Sequence, residues 1–403
     1  MTSLNQKFRQ LNWKRNFITK KINYFIFIKF LSLFTIFLRS KNNSLIPCSV
    51  KKVLVIRNDC IGDMIVTTPF IRYLSTAGYK VYVSSRKNSL EILSNNPYVT
   101  DCFLYDDGTF SKLVRSLKII RKHQFDLAID ARFHRRLDLK HLFFCVFVKT
   151  LHLLSYNKSN IKSFNISLPY YKTTEHVTNQ LKYYLDYLDI NYDSFGYDIF
   201  IDSIKDKDVD LFINNNIKPK EKFVVINPYG GSDYRCLSEL QILMLCNLFK
   251  SYYQEYRIVI IGQGGNFDKL CIPGTIKFQS PSILDVFPLI KKADLVISVD
   301  TSIVHVASAF STKCISIYME PLPPKSDNLK SIYSREFSNY KYLLQDLFLD
   351  KAYIKKHNPN LDLQINKDIW SPNDINSKQI VFYSNSVKTI NPDILVKSIK
   401  EYI

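Results

Sequence analysis

The acidic side chain of Asp63 lies in a turn whose place in the chain suits chemistry. The turn RNDCIGDMIVTTP (residues 57–69) follows the apolar run VLVI at 53–56, which has the composition of a buried strand. Residues 69–74 have the character of a helix. In an open parallel sheet, ligands bind where such a turn leaves the carboxyl end of a strand. Asp63 is therefore a candidate catalytic group, and simple capping of the next helix is the alternative.

A cluster of arginines follows a second strand-like run. The run FDLAID spans residues 125–130, and Arg132, Arg135 and Arg136 come soon after it. A guanidinium group pairs with both oxygens of a carboxylate or phosphate, so these residues suit an anionic ligand. The alternative is a basic loop that is merely solvated.

The second half of the chain repeats the order of strand, polar turn and helix. After the apolar run FVVI, the turn supplies Gly230, Gly231, Ser232 and Arg235. Glycines let a ligand approach the backbone closely. Together with a hydroxyl and a cation they form a plausible cradle for a diphosphate, although the P-loop pattern GxxxxGK[ST] is absent.

Two more turns in this half are candidate donor contacts. Asp300, Thr301 and Ser302 follow the run ADLVISV and precede a helix-like segment that contains His305. The start of a helix offers free N–H groups and a positive dipole end to phosphate, and capping by these residues is compatible with binding. The turn GQGG, which begins at Gly262, is interpreted first as a tight turn and second as a nucleotide contact.

Strand-like and helix-like runs alternate through both halves, which predicts α/β domains with parallel sheets. A chain of 403 residues is long for a single core. We expect a basic N-terminal segment at 1–48, a first domain at 49–205, a second at 206–388 and a C-terminal helix at 389–403. An insertion covers about 320–368. An apolar helix is predicted at 142–154, and a linker within the polar stretch 190–220.

The N-terminal segment concentrates the positive charge of the chain. The formal net charge is +19, and residues 1–50 hold nine Lys or Arg without an acidic residue. Residues 24–38 are apolar but, as a helix of roughly 22 Å, too short to cross a hydrocarbon core of about 30 Å. We expect a helix lying on an anionic membrane surface. Packing on its own domain, or a true anchor, are the alternatives; a secretory signal lacks its small-residue cleavage site.

The eight cysteines are scattered, without CxxC pairs or a zinc pattern. Such usage indicates free thiols in a reducing compartment and gives no reason to expect a metal. No nucleic-acid-binding motif accompanies the basic charge, which disfavours a nucleic-acid-binding module.

Three segments, taken in order, resemble glycosyltransferase family 9, the ADP-heptose:lipopolysaccharide heptosyltransferases and their relatives. They are RNDCIGDMIVTTP, INPYGGSDYRCLS and ADLVISVDTSIVHVASAFSTKCISIY. The resemblance spans about 51–318 and resumes near Trp370. It implies a GT-B fold, in which two Rossmann-like domains face a cleft, with the acceptor on the first and the donor nucleotide on the second. It also implies an inverting reaction that needs no metal or other cofactor.

The resemblance implies roles for individual residues. Asp63 matches the proposed general base, and Arg235 matches the basic position, commonly Lys, at the donor diphosphate. Asp300, Thr301 and Ser302 match the D-T-G helix start beside the phosphates, with Ser in place of Gly. The other expected contacts with the donor are Gly231, Ser232, Gly262 and His305. The expected contacts with the acceptor are Arg57, Arg132, Arg135 and Arg136.

The expected function is transfer of a sugar, heptose from ADP-heptose, to lipopolysaccharide core or a related surface glycan. The expected place is the cytoplasmic face of the bacterial inner membrane, where a lipid-linked glycan acceptor lies. Two alternatives stay open: a family member that uses another donor sugar, and a nucleotide-sugar 2-epimerase of similar two-domain architecture. An epimerase would convert the donor without an acceptor.

Overall fold

The computed structural model describes most of the chain from residue 49 to 403 and part of an N-terminal helix. The described residues are 15, 19, 22–23, 25–31, 33, 49–132, 138–159, 161–170, 175–320, 366–384 and 386–403. Arg135, Arg136 and most of the predicted insertion lie outside them. The described residues form two parallel sheets of six strands each, which confirms the predicted α/β class.

The first sheet has the strand order β3-β2-β1-β4-β5-β6, with all neighbours parallel. Its strands are β1 (Lys52–Ile56), β2 (Lys80–Ser85), β3 (Asp101–Leu104), β4 (Phe125–Asp130), β5 (Thr150–Tyr156) and β6 (Ile166–Leu168). In β1, Val53 pairs with Val81 on one side and Leu127 on the other. Strand order reverses between β1 and β4, so the crevice for a ligand lies at their carboxyl ends.

Five helices connect these strands and lead out of the sheet. They are α1 (Ile61–Thr76), α2 (Lys87–Glu91), α3 (Phe110–Ile120), α4 (Leu139–Phe147) and α5 (Val177–Tyr187). The prediction of one helix over 142–154 is wrong in its second half, because Val148 is extended (φ −62°, ψ 139°) and β5 starts at Thr150. The error arises because a continuous apolar run has the same composition in a buried helix as in a buried strand.

The second sheet repeats the arrangement in the order β12-β11-β10-β7-β8-β9, again all parallel. Its strands are β7 (Lys222–Asn227), β8 (Tyr256–Gly262), β9 (Ile276–Gln279), β10 (Leu295–Val299), β11 (Cys314–Glu320) and β12 (Ser377–Tyr383). Here the order reverses between β7 and β10. The turns after these two strands are the ones that the sequence singled out.

Within the described residues, seven helices accompany the second sheet. They are α6 (Ser203–Asn216), α7 (Glu239–Tyr252), α8 (Gly265–Lys269), α9 (Ile283–Lys292), α10 (Ser302–Phe310), α11 (Asn366–Ile369) and α12 (Pro392–Lys400). Helix α6 falls within the polar stretch predicted to hold a linker. Two charges of α6 hold it to α9: Lys292 pairs with Asp206 at 2.5 Å and with Asp210 at 2.8 Å.

The N-terminal helical residues 25–31 pack on one side of the first sheet. Ile28 and Leu31 are buried in the same apolar cluster as Leu54 of β1 and Leu113 of α3. The exposed apolar side chains among the described residues of this segment are Ile22, Phe25, Ile26, Phe30 and Leu33. One face of the segment is thus held by its own domain, while another apolar face is left at the surface. Within the described residues no helix has the length and apolar character needed to cross a membrane.

Candidate active site

Helix α1 follows β1 and helix α10 follows β10, so each starts where the strand order of its sheet reverses. The N-termini of these two helices approach each other. A Cβ atom added to Gly62 of α1 would lie 3.1 Å from Cδ2 of His305 and 3.6 Å from the Cα of Ser302 in α10. A larger residue at position 62 would therefore push the helices apart. This approach brings the start of α1, which carries Asp63, to the start of α10 at Ser302, so the contact joins two helix starts that the sequence picked out separately.

Asp63 is held from two directions at the start of α1. Its Oδ1 accepts a hydrogen bond from Nη2 of Arg57 at 3.1 Å, and its Oδ2 accepts one from the backbone N–H of Cys60 at 3.2 Å. The second bond closes a capping box, so Asp63 does cap its helix as the alternative interpretation held. The residue is 5% exposed, and its two hydrogen bonds hold the carboxylate in one orientation.

The charges behind Asp63 form a buried chain of alternating sign. Arg57 is 1% exposed, donates to the carbonyl of Ala131 and lies 3.7 Å from Asp59. Asp59 in turn accepts from Nε of Arg132 at 2.8 Å. Nη1 of Arg132 lies 3.6 Å from Asp138. Two of the four arginines that were expected at the acceptor, Arg57 and Arg132, are thus engaged inside the domain, where they orient the turn that carries Asp63.

In the second domain, Arg235 and Asp300 form an ion pair between the turns that follow β7 and β10. Nη1 of Arg235 lies 3.3 Å from Oδ2 of Asp300, and their side chains are 37% and 23% exposed. Arg235 ends a short 3-10 helix, Asp233–Arg235, after β7. Burial raises the pKa of Asp300 while Arg235 opposes that rise. Because the guanidinium is open to solvent, it is accessible to an anionic ligand.

Thr301 and Ser302 form the N-terminus of α10 beside this ion pair. Oγ1 of Thr301 accepts from the backbone N–H of Ile303 at 3.3 Å and from the side chain of Asn227 at 2.9 Å. Asn227 is the last residue of β7, so it ties the ends of β7 and β10 together. Ser302 is the first residue of α10, where backbone N–H groups are free of helical partners.

The glycines of the second domain serve different purposes. A Cβ on Gly262 would lie 2.6 Å from the ring of Phe267, so this glycine is required for packing of α8. Gly230 is crowded by the Cβ of Arg235 at 2.5 Å, whereas Gly231 faces open space. Gly231 and the neighbouring Ser232 are therefore better placed than Gly262 to meet a ligand.

His305 lies in the contact between the domains. It is 4% exposed, with the rings of Tyr197 and Trp370 at centroid distances of 5.8 and 6.3 Å. Burial, and then the nearby His176, lower the pKa of His305 to about 3. Nε2 of His176 and the carbonyl of Ser371 lie 3.0 Å apart, and burial lowers the pKa of His176 to about 4. Both imidazoles are thus neutral near pH 7.

One group of side chains within the described residues has the composition of a metal site. Potential ligand atoms of Asp130, His141 and Cys145 all lie within 4.8 Å of one another. The Asp130 carboxylate is already satisfied by His141 at 2.8 Å and Ser155 at 3.0 Å. Burial opposes the effect, but His141 and the buried Lys158 bring the pKa of Asp130 down to about 2. We interpret the group as an internal ion-pair network.

Sequence reasoning missed Asp59, which connects Arg57 to Arg132. A signal was present, because Arg57 is followed by two carboxylates, Asp59 and Asp63, within the same turn. The pairing with Arg132 carries no such local signal, since 73 residues separate the two.

Comparison with known proteins gives relatives over almost the whole chain. The sequence profile of glycosyltransferase family 9 (heptosyltransferase) matches residues 281–341. An Escherichia coli (strain K12) protein named "Putative lipopolysaccharide heptosyltransferase 4" is 26% identical over 397 residues, which are 96% of this chain and 95% of that protein.

Solved structures of heptosyltransferases share the fold. Escherichia coli heptosyltransferase WaaC with ADP superimposes with a TM-score of 0.60 at 13% identity, covering 87% of this chain and 100% of its own. A glycosyl transferase of family 9 from Veillonella parvula gives 0.59 at 14% identity, covering 78% of this chain and 98% of its own. Together these comparisons confirm the resemblance to glycosyltransferase family 9.

Proposed function

We propose that this chain is an inverting glycosyltransferase that moves heptose from ADP-heptose to lipopolysaccharide core or a related surface glycan. The observation that carries the proposal is the approach of α1 to α10 at Gly62 and His305. It sets a carboxylate of one domain beside a helix N-terminus and an exposed arginine of the other. The similarity to family 9 supports the choice of heptose as the sugar.

In the proposed reaction Asp63 is the general base. It takes the proton from the acceptor hydroxyl while that oxygen attacks the anomeric carbon, and the bond from that carbon to the diphosphate breaks. The hydrogen bonds from Arg57 and from the N–H of Cys60 fix the direction in which the carboxylate points. Such fixed geometry avoids reorientation during proton transfer.

Negative charge that develops on the leaving nucleotide is offset by the second domain. Arg235 exchanges its contact with Asp300 for the donor phosphates, and the N-terminus of α10 at Thr301 and Ser302 adds N–H groups and dipole charge. Gly231 and Ser232 complete the diphosphate contact. With these groups present the proposal needs no metal ion or other cofactor for the chemistry.

Acceptor binding is assigned differently from the sequence-based expectation for two residues. Arg57 and Arg132 act through the buried charge chain that orients Asp63, since both are held by carboxylates inside the domain. Arg135 and Arg136 remain the proposed contacts with acidic or phosphorylated groups of the acceptor.

The proposed location is the cytoplasmic face of a bacterial inner membrane, where the lipid-linked acceptor lies. The exposed apolar face of the N-terminal segment, with Phe25, Ile26 and Phe30 between 49% and 59% exposed, supports contact with the bilayer. Ile28 and Leu31 of the same segment are buried in the first domain, so the helix would lie on the membrane while staying attached to its domain.

Replacement of Asp63 by Asn tests the proposal, because Asn keeps the size of the side chain and removes its basicity. We expect transfer from ADP-heptose to extracted lipopolysaccharide core to fall by about 100-fold or more. Binding of ADP-heptose, measured by calorimetry, should be retained.

The matched control is Asp198→Asn, which removes a carboxylate that pairs at 3.0 Å with Arg72 of the same helix α1, away from the cleft. Turnover by Asp63→Asn close to that of this control would rule out Asp63 as the base. Conversion of ADP-heptose without acceptor would instead indicate an epimerase.

A further inference from the structure

We propose that the exposed face of α3, together with the N-terminal segment, forms one docking surface for an anionic lipid bilayer. The inference rests on the proposed membrane association and deepens it, because it places half of the contact on a helix of the folded first domain. The surface is defined by residues 110–122 and the exposed side chains of Ile22, Phe25, Ile26, Phe30 and Leu33, and is called the α3 surface below.

The charge of α3 separates it from the other helices. It carries Lys112, Arg115 and Lys118 and no acidic residue, and Arg121 and Lys122 follow it directly. All five are exposed. Each of the other helices bounded above carries an acidic residue or fewer than three basic ones. Residues 111, 115, 118 and 122 recur at helical spacing, so their side chains share one stripe that faces outward.

Few of these charges are neutralised internally. Lys112 lies 3.5 Å from Asp106, and this exposed pair contributes little. Arg121 donates to the carbonyl of Phe147 at 2.7 Å, which does not remove its charge. The stripe therefore presents several positive charges to the outside. Near an anionic bilayer each such charge adds to the attraction.

Apolar side chains lie on the same surface. Phe110 and Ile119 of α3 are 60% and 50% exposed, and Phe25 and Ile26 are 55% and 59% exposed. Both helices pack on the same side of the first sheet, since the buried Ile28 and the α3 core residues belong to one apolar cluster with Leu54 of β1. Exposed apolar groups interleaved with basic ones suit a bilayer interface, where rings enter the hydrocarbon boundary and cations meet headgroups. A purely polar polyanion gives no place for the apolar groups.

The direction of α3 connects this surface to the cleft. In a parallel sheet, a helix that follows a strand starts at the carboxyl edge, and α3 follows β3 in this way. Thr109 caps its start by accepting from the N–H of Lys112 at 3.2 Å. The end at Phe110 is thus at the edge of the sheet that carries Asp63. A bilayer on the α3 surface would hold a lipid-linked acceptor close to the proposed base.

The experiment measures binding to vesicles of phosphatidylglycerol and phosphatidylethanolamine by flotation, with phosphatidylcholine vesicles for comparison. The variant Arg115→Gln, Lys118→Gln, Lys122→Gln removes three charges of the stripe without touching the cleft. We expect binding to the anionic vesicles to weaken about tenfold or more, with less salt dependence. Its unfolding midpoint and its turnover of a detergent-dispersed acceptor should not change.

The matched control removes three exposed lysines of the second domain: Lys269→Gln, Lys277→Gln and Lys397→Gln. It should bind the anionic vesicles within about twofold of the wild type, because these lysines lie off the surface. A second variant, Phe25→Ser with Ile26→Ser, tests the apolar part and should weaken binding while leaving the buried Ile28 and Leu31 in place.

Four outcomes would overturn the inference. Equal loss in the α3 variant and the second-domain control would mean that net charge alone matters. Normal binding by the α3 variant, with loss in the Phe25/Ile26 variant, would confine the contact to the N-terminal segment and leave membrane association intact. Loss of binding to single-stranded RNA and not to vesicles would indicate a nucleic-acid surface. Wild-type protein that binds no anionic vesicle would refute membrane association itself, while the Asp63→Asn result on transfer would stand.

Discussion

At the order reversal of the first sheet, Arg57 is 1% exposed and lies against two carboxylates, Asp63 and Asp59. At the same topological position of the second sheet, Arg235 is 37% exposed and pairs with Asp300. The two regions share one architecture and differ in where their charges are satisfied. A buried, internally paired arginine fixes a neighbouring group in place. A half-exposed arginine with a weakly held partner can exchange that partner for a ligand. The first region thus suits a base of fixed geometry, and the second suits a charged donor that comes and goes.

The largest expected difference is in stability. Arg57→Gln should lower the free energy of unfolding by about 3–5 kcal/mol, because it leaves Asp59 and Asp63 buried with too little positive charge. Arg235→Gln should cost less than about 1 kcal/mol, since its pair is partly solvated. Denaturant titration of both variants checks this. Equal losses in the free energy of unfolding would remove the contrast between the buried and the exposed arginine.

The second expected difference is in activity. Arg235→Gln should lower kcat/KM for the donor by about 100-fold, as a charge that meets the leaving diphosphate is lost. Arg235→Lys should recover part of that loss while the unfolding midpoint stays constant. If Arg235→Gln kept full activity, the diphosphate would have to be bound elsewhere.

The contact that joins the two regions makes stability depend on pH. His176 has a folded pKa of about 4, below the ordinary 6.5, so the unfolded chain binds the proton more readily. The contribution of neutral His176 to the free energy of unfolding is fully present above about pH 6.5 and is lost as the pH falls toward 4. Between pH 7 and pH 5, His176→Gln should therefore lose about 2 kcal/mol less stability than the wild type. If the free energies of unfolding of the wild type and of His176→Gln changed equally with pH in denaturant titrations, His176 would not be responsible.

The smallest effect is expected at a third arginine pair. Arg72 and Asp198 lie 3.0 Å apart and are about one-fifth exposed. Burial raises the pKa of Asp198 even though Arg72 opposes it, which indicates that the pair gains little. Asp198→Asn should change the free energy of unfolding by about 1 kcal/mol or less. A cost as large as that of Arg57→Gln would mean that burial of an arginine pair, and not its place in the site, sets the energy.

Much of the fold was predictable because its signals are local. The runs at 53–56 and 223–226 fall within β1 and β7, and each polar turn after them begins at the carboxyl end of its strand. The prediction of a single helix for the apolar run at 142–154 was wrong because the local signal there is ambiguous. Its composition fits a buried helix as well as a buried strand, and only the break at Val148 divides α4 from β5.

Most strands and helices, and the turns that carry Asp63, Arg235 and Asp300–Ser302, follow from the sequence, since strand, turn and helix patterns depend on neighbouring residues. Which charges are held inside depends on the tertiary structure. Arg132 pairs with Asp59, which lies 73 residues away in the chain. Because Gly62 has no side chain, α10 of the second domain can approach α1 of the first. Electrostatic partners and close contacts depend on distance in space, and the chain brings those atoms together only when both sheets have formed.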